Sequence, residues 1–130
     1  MGVGVLDAGV AIGWLQRRHR SFSKLAKLFT ACREGKLRLV ISVVNLAEVL
    51  IHTAEVSRVT GIDAVVLLRA SAVEVLPPDE AVARRVAKLR TSLADGFAAA
   101  TALELGARLH TTDAELVRRL RGVGLSVTRY

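Results

Sequence analysis

The sequence predicts an α/β fold, a mainly parallel sheet of about five strands covered by helices on both faces. Short aliphatic, β-branched runs alternate with helical patterns of ten or more residues along the whole chain, which is how strands joined by crossover helices read. The 130 residues suffice for one domain with a proper core and are too few for two, and 52% of them are hydrophobic. One domain over residues 1–130 is therefore expected, with apolar surface left over for a partner.

Val3 to Leu6 reads as a strand ending at Asp7, and a helical pattern follows through Val10, Ile12, Trp14 and Leu15. Ser21 to Glu34 repeats Phe22, Leu25, Leu28, Phe29 and Cys32 at helical spacing and is closed by Gly35. Leu37 to Ile41 reads as a buried strand, and Ser42 to Glu55 as one continuous helix. Gly61 to Ser71 is a further helix packed on its Ile62, Val65, Val66 and Leu68 side, and Val73 to Leu76 a strand stopped by Pro77 and Pro78. Pro78 is placed to open the next helix, with Asp79 and Glu80 in its first turn, where the helix dipole favours acids. That helix buries Val82, Val86 and Leu89 and turns Arg84, Arg85, Lys88 and Arg90 outward. After Asp95 to Thr112 comes a helix with Leu116, Val117 and Leu120 on one side; Gly122 and Gly124 end it, and Leu125 to Thr128 is a final strand.

The stretch from Asp95 to Asp113 carries the argument about function. A helix over Asp95 to Gly106 is roughly 18 Å long at about 1.5 Å per residue, and a strand over Arg108 to Thr112 retraces roughly 16 Å at about 3.3 Å per residue. The lengths nearly cancel, so Asp95 and Asp113 are expected at one edge, close enough to share an ion. Ligands of such sheets bind at the carboxyl ends of the strands, where Asp7 also lies. Glu48 sits inside a helix among Val44, Leu46, Val49 and Leu50 and is expected to face the protein. Four converging carboxylates raise each other's pKa unless a cation neutralises them. An all-oxygen set suits Mg²⁺ or Mn²⁺ rather than zinc, and such ions activate water for phosphodiester hydrolysis. Capping is the competing explanation, because Asp7, Asp95 and Asp113 all stand at predicted helix starts and Thr112 with Glu115 has capping-box spacing. It does not account for Glu48, whose burial without a partner is costly.

Three segments, VLDAGVAIGWL, ISVVNLAEVL and LADGFAAATALELGARLHTTD, resemble the PIN domain in the form carried by VapC-like toxins of prokaryotic toxin–antitoxin pairs. The resemblance spans nearly the whole chain, with the acids in order. It implies a PIN-like three-layer α/β/α sandwich and a Mg²⁺- or Mn²⁺-dependent endoribonuclease whose acidic quartet maps onto Asp7, Glu48, Asp95 and Asp113. Thr111 matches a polar residue that orients a carboxylate or water, and Ser42 and Asn45 stand just behind the acids. The resemblance further implies a homodimer and a cognate antitoxin that wraps the toxin. Two positions depart from the pattern. Gly9 stands where Ser or Asn is frequent, and Gly96 where Ala is usual, which is expected to loosen that helix start.

The net charge of +7 favours a polyanionic partner such as RNA, with Arg17, Arg18, Arg20, Arg84, Arg85 and Lys88 as candidate phosphate contacts. Each of these is equally readable as part of a solvated helix face. With 4% aromatic residues, base stacking is a poor mode of RNA binding, and Trp14 reads as core. His52, one turn after Glu48, and His19 and His110 lack a paired Ser or Cys nucleophile. The lone Cys32 excludes an internal disulfide and fits a reducing compartment. No apolar run approaches a membrane span, and the basic cluster follows the first apolar stretch, the reverse of a secretory signal; a soluble cytoplasmic protein is expected. The alternative to the nuclease is a PIN-like module that holds RNA or protein without cutting. A receiver or phosphatase reading ranks lower, since there is no Asp-x-Asp after the first strand and no glycine-rich phosphate loop.

Overall fold

The structure, a computed structural model, describes residues 2–130. Among them the chain forms β1 (Gly2–Leu6), α1 (Ala8–Gln16), α2 (Phe22–Arg33), β2 (Leu37–Ser42), α3 (Val43–His52), α4 (Ala54–Thr60) and α5 (Ala64–Ala70). It continues with β3 (Glu74–Leu76), α6 (Glu80–Leu89), α7 (Leu93–Leu105), β4 (Arg108–Thr111), α8 (Ala114–Arg119) and β5 (Val127–Arg129). The sheet is parallel throughout, in the order β3-β2-β1-β4-β5.

Strand alternation sorts the core into two layers, because successive side chains point to opposite faces. On one face Leu6, Leu39 and Ile41 pack with Val10, Leu25, Phe29, Val49 and Leu68 of the helices. On the other, Val5, Val40 and Leu109 pack with Ala98, Ala99 and Ala102 of α7 and with Leu116 and Leu120. The alanines of α7 let its backbone lie close to the sheet, which fixes where its first turn stands. Trp14 belongs to the first layer, stacked on Phe29 with centroids 4.8 Å apart and planes 10° from parallel.

Several boundaries differ from the sequence reading. The helix expected over Ser42 to Glu55 breaks at Thr53, whose amide and hydroxyl both donate to the Val49 carbonyl; such back-bonding bends and ends helices. α4 then follows, with no buried residue, so no apolar periodicity marks it in the sequence. α5 buries Ala64 and Leu68 with Val65 beside them, while Ile62 and Val66 are exposed. Asp79 rather than Pro78 opens α6, its side chain accepting from the Val82 amide. The last strand begins two residues later and ends one later than expected, with Val127 opposite Leu109. No helix among the described residues is long and apolar enough to cross a membrane.

Candidate active site

The strand order reverses at β1. From β1 the chain steps to β2 on one side and later to β4 on the other, and crevices at such switch points bind ligands in parallel sheets. Leu6 is in register with Ile41 and with His110, so the next residues, Asp7, Ser42 and Thr111, stand side by side at the carboxyl edge.

Asp7 is the centre of this row. It leaves β1 in extended backbone and caps α1, with Oδ1 accepting from the Val10 amide at 2.9 Å. Oδ2 accepts from the Thr111 hydroxyl, whose oxygen in turn accepts from the Asp113 amide at 3.0 Å. Only 5% exposed, Asp7 has its pKa pushed up to about 6 by burial; the Thr111 and Val10 donors pull it down, and the Asp95 carboxylate pushes it up again.

Asp95 reaches that position because Ser92, not Asp95, caps α7. The Ser92 hydroxyl accepts from the Asp95 amide at 3.3 Å, so Asp95 lies in the first turn with its carboxylate not used as the cap. Asp113 does cap α8, accepting from the Glu115 and Leu116 amides through the same oxygen. The capping explanation thus holds for Asp7 and Asp113 but not for Asp95. Glu48 is half-buried on α3, one turn beyond Asn45. Asn45 is 1% exposed and donates to the Ala94 carbonyl at 2.9 Å, tying α3 to the start of α7; its Oδ1 is buried without a partner. Ser42 caps α3, accepting from the Val44 amide.

These donors fit a hard divalent cation in kind. They are all oxygen, and Mg²⁺ keeps several waters and takes only one or two protein carboxylates, a number that Asp7, with Asp95 near enough to raise its pKa, would meet. The Oδ1 of Asn45 is buried without a partner, on a side chain whose amide donates to the Ala94 carbonyl next to Asp95. Among the described residues no three His, Cys, Asp or Glu side chains are grouped closely enough to hold one ion.

The remaining candidates scatter. Arg84 and Arg85 are paired with Glu80 and Glu104, whereas Arg17, Arg18, Arg20 and Lys88 are exposed and make no ion pair among the described residues. Arg18 borders an apolar groove with Leu15, Val56, Ile62 and Leu67. His52 is exposed with Nδ1 against the Glu48 carbonyl, and His19 accepts from the Ser21 amide. His110 is buried against Tyr130, with its pKa pushed down to about 4 by burial. Gly96, expected to loosen the start of α7, stands where that helix meets α6. A Cβ there would stand 2.9 Å from Val86 Cγ1 and 3.1 Å from Thr91 Oγ1, so the glycine lets α6 close on α7. Thr112, read in the sequence only as a capping-box residue, leaves the cap of α8 to Asp113, and its hydroxyl lies 2.2 Å from where a Cβ on Gly9 would be; nothing in the spacing of residues 9 and 112 signals that approach.

A comparison with curated proteins gives no match. The chain superposes on the DNA-bound VapBC from Salmonella typhimurium with a TM-score of 0.72 at 23% identity, covering 99% of this chain and 98% of that one. It superposes on VapBC2 from Rickettsia felis bound to a promoter DNA fragment with a TM-score of 0.71 at 16% identity and 98% coverage of both chains. A third similar structure is VapC20 from Mycobacterium tuberculosis, described as a sarcin-ricin loop cleaving toxin, with a TM-score of 0.69 at 14% identity, covering 98% of this chain and 99% of that one. At these identities the likeness concerns the fold. The family model of the PIN domain matches residues 4–122, nearly the whole length. With that match over most of its length, the chain belongs to the PIN domain family.

Proposed function

We propose that the chain is a divalent-metal-dependent endoribonuclease serving as the toxin of a VapBC-type pair, with Asp7 and Asp95 holding Mg²⁺ or Mn²⁺ and Glu48 and Asp113 completing the acidic surround. The observation that carries this is the state of Asp7. Ser or Asn would cap α1 equally well without burying a charge, so keeping an ionisable carboxyl there, facing a second one, makes sense where a cation neutralises the pair. Such an ion supplies Lewis-acid polarisation of a phosphodiester and a water of lowered pKa. The protein's part is positional. Thr111 fixes one oxygen of Asp7, Asn45 holds the start of α7 and hence Asp95, and Ser42 anchors the helix that carries Glu48.

The contact of Gly96 with Val86 and Thr91 sets the end of α6 beside the first turn of α7, which makes Lys88 the phosphate contact we favour on that helix. A similar structure described as a sarcin-ricin loop cleaving toxin supports a nucleic-acid loop as substrate, which we read as RNA, and neighbours described as toxin–antitoxin complexes support a cognate antitoxin. The exposed Val56, Val59, Ile62, Val66 and Leu67, on α4, α5 and the turn between them, supply apolar surface for such a partner, or for the homodimer the family resemblance implies. A second reading, a PIN module that binds without cutting, is favoured by one observation, the lack of any three acids grouped for one ion among the described residues.

The test is cleavage of several structured RNAs with Mg²⁺ or Mn²⁺, with and without chelator, by the wild type and by folded Asp7→Asn and Asp95→Asn proteins. Chelator-sensitive cleavage lost in both variants is the expected result. RNA bound but cut no better by the wild type than by the variants favours the binding module.

A further inference from the structure

Thr112 occupies a place that the functional reading above does not use. It follows the last residue of β4, and its hydroxyl projects into the space above the bare Cα of Gly9, in the first turn of α1. A Cβ built on Gly9 would lie 2.2 Å from Thr112 Oγ1, closer than real Cβ contacts come, and 3.5 Å from Asp7 Oδ1. The point where a residue-9 side chain would begin is thus filled by a hydroxyl delivered from another strand, beside the buried carboxylate of Asp7. Gly9 is in ordinary helical backbone, so no positive φ calls for glycine there. The close approach of Thr112 does.

We infer that Gly9 and Thr112 form one functional position, in which the glycine clears space for the Thr112 hydroxyl to act as a positioning residue, ordering the water shell of a divalent cation at Asp7. The inference rests on the metal-dependent reading above. The two threonines divide the work. Thr111 donates to Oδ2 and fixes the carboxylate itself, while Thr112 stands on the Oδ1 side, where Oδ1 already accepts from Val10. A hydroxyl offers both a donor and two acceptor lone pairs, which suits a metal-bound water that needs an acceptor.

Mn²⁺ binding, followed by the loss of the free-ion electron paramagnetic resonance signal, separates this role from packing. Outer partners of metal sites are typically worth about 10–100-fold in affinity, so Thr112→Val and Thr112→Ala are expected to bind Mn²⁺ about tenfold more weakly. Thr112→Ser is expected to bind as the wild type does. Gly9→Ala, whose new Cβ must displace Oγ1, is expected to resemble Thr112→Val, with thermal melts confirming that each variant is folded. Wild-type affinity in Thr112→Val overturns the inference, because the hydroxyl is then idle. Equal weakening in Thr112→Ser also overturns it, because the γ-methyl is then what matters. A wild type that binds no Mn²⁺ overturns both this and the metal-dependent reading, and so is distinct from the other two failures.

Discussion

The hydroxyl of Thr111 donates to the Asp7 carboxylate across the β1–β4 boundary, joining two residues 104 positions apart. The fully buried hydroxyl also accepts from the Asp113 amide, so one side chain holds the first acid and the start of α8 together. Replacing Thr111 with Val leaves a buried carboxylate oxygen and a backbone amide without partners. The expected cost is about 1–3 kcal/mol, read by urea denaturation, with Thr111→Ser close to the wild type. The Asp7 pKa climbs further above about 6 in the Val variant, since the largest pull on it downward is gone.

Two buried groups give opposite pH dependences. The Asp7 pKa is raised from 3.8 to about 6, so its contribution to stability is full below pH 3.8 and is lost as pH rises through about 6. His110 is lowered from 6.5 to about 4, so its contribution is full above pH 6.5 and is lost as pH falls toward 4. Each amounts to about 3 kcal/mol at 1.36 kcal/mol per unit, and between pH 7 and 4 they largely cancel. Asp7→Asn removes one side of the balance. In metal-free buffer it is expected to be more stable than the wild type at pH 7 by up to about 3 kcal/mol, and to lose about as much on acidification to pH 4. Denaturant midpoints across that range check both statements.

Asn45 links α3 to the start of α7 through the Ala94 carbonyl. Asn45→Ala leaves that carbonyl without its donor, at an expected cost of about 1–2 kcal/mol. Because Asp95 is the next residue, cleavage of RNA is expected to fall at least about tenfold in a protein that remains folded. Circular dichroism melts and an activity assay together separate the two effects. Retained activity contradicts a positioning role for Asn45.

Gly96→Ala sets helix propensity against packing. Alanine gains about 1 kcal/mol over glycine inside a helix, but the new Cβ meets Val86 Cγ1 at 2.9 Å, and overpacking costs about 1–3 kcal/mol. Val is stiff at χ1 and yields little. A net loss of about 1 kcal/mol is expected in thermal melts, relieved in the Gly96→Ala, Val86→Ala double variant.

The parallel sheet was legible because its strands are short aliphatic runs separated by helical periods, and the places of Asp7 and Asp113 because they stand just past two of those runs. Leu6, Ile41 and His110 share a register that the sequence does not state, yet β-strand ends alone place Asp7 and Thr111 at the same edge. Three features were not legible, each for a physical reason. α4 buries nothing, so it leaves no apolar stripe. The cap of α7 falls to Ser92 because its hydroxyl accepts from the Asp95 amide, although Asp95 looks like an equally good cap. The meeting of Gly9 with Thr112 and of Gly96 with Val86 depends on side chains brought together only by the fold, which no local pattern encodes.

The proposed activity requires Asp7 and Asp95 to act together toward one divalent cation. Isothermal titration of Mn²⁺ into metal-free wild type, Asp7→Asn and Asp95→Asn proteins at pH 7 tests it most directly. A saturable site is expected in the wild type, with a loss of at least about tenfold in affinity in each variant, consistent with removal of an anionic ligand. Equal binding by all three proteins, or none by the wild type, contradicts it.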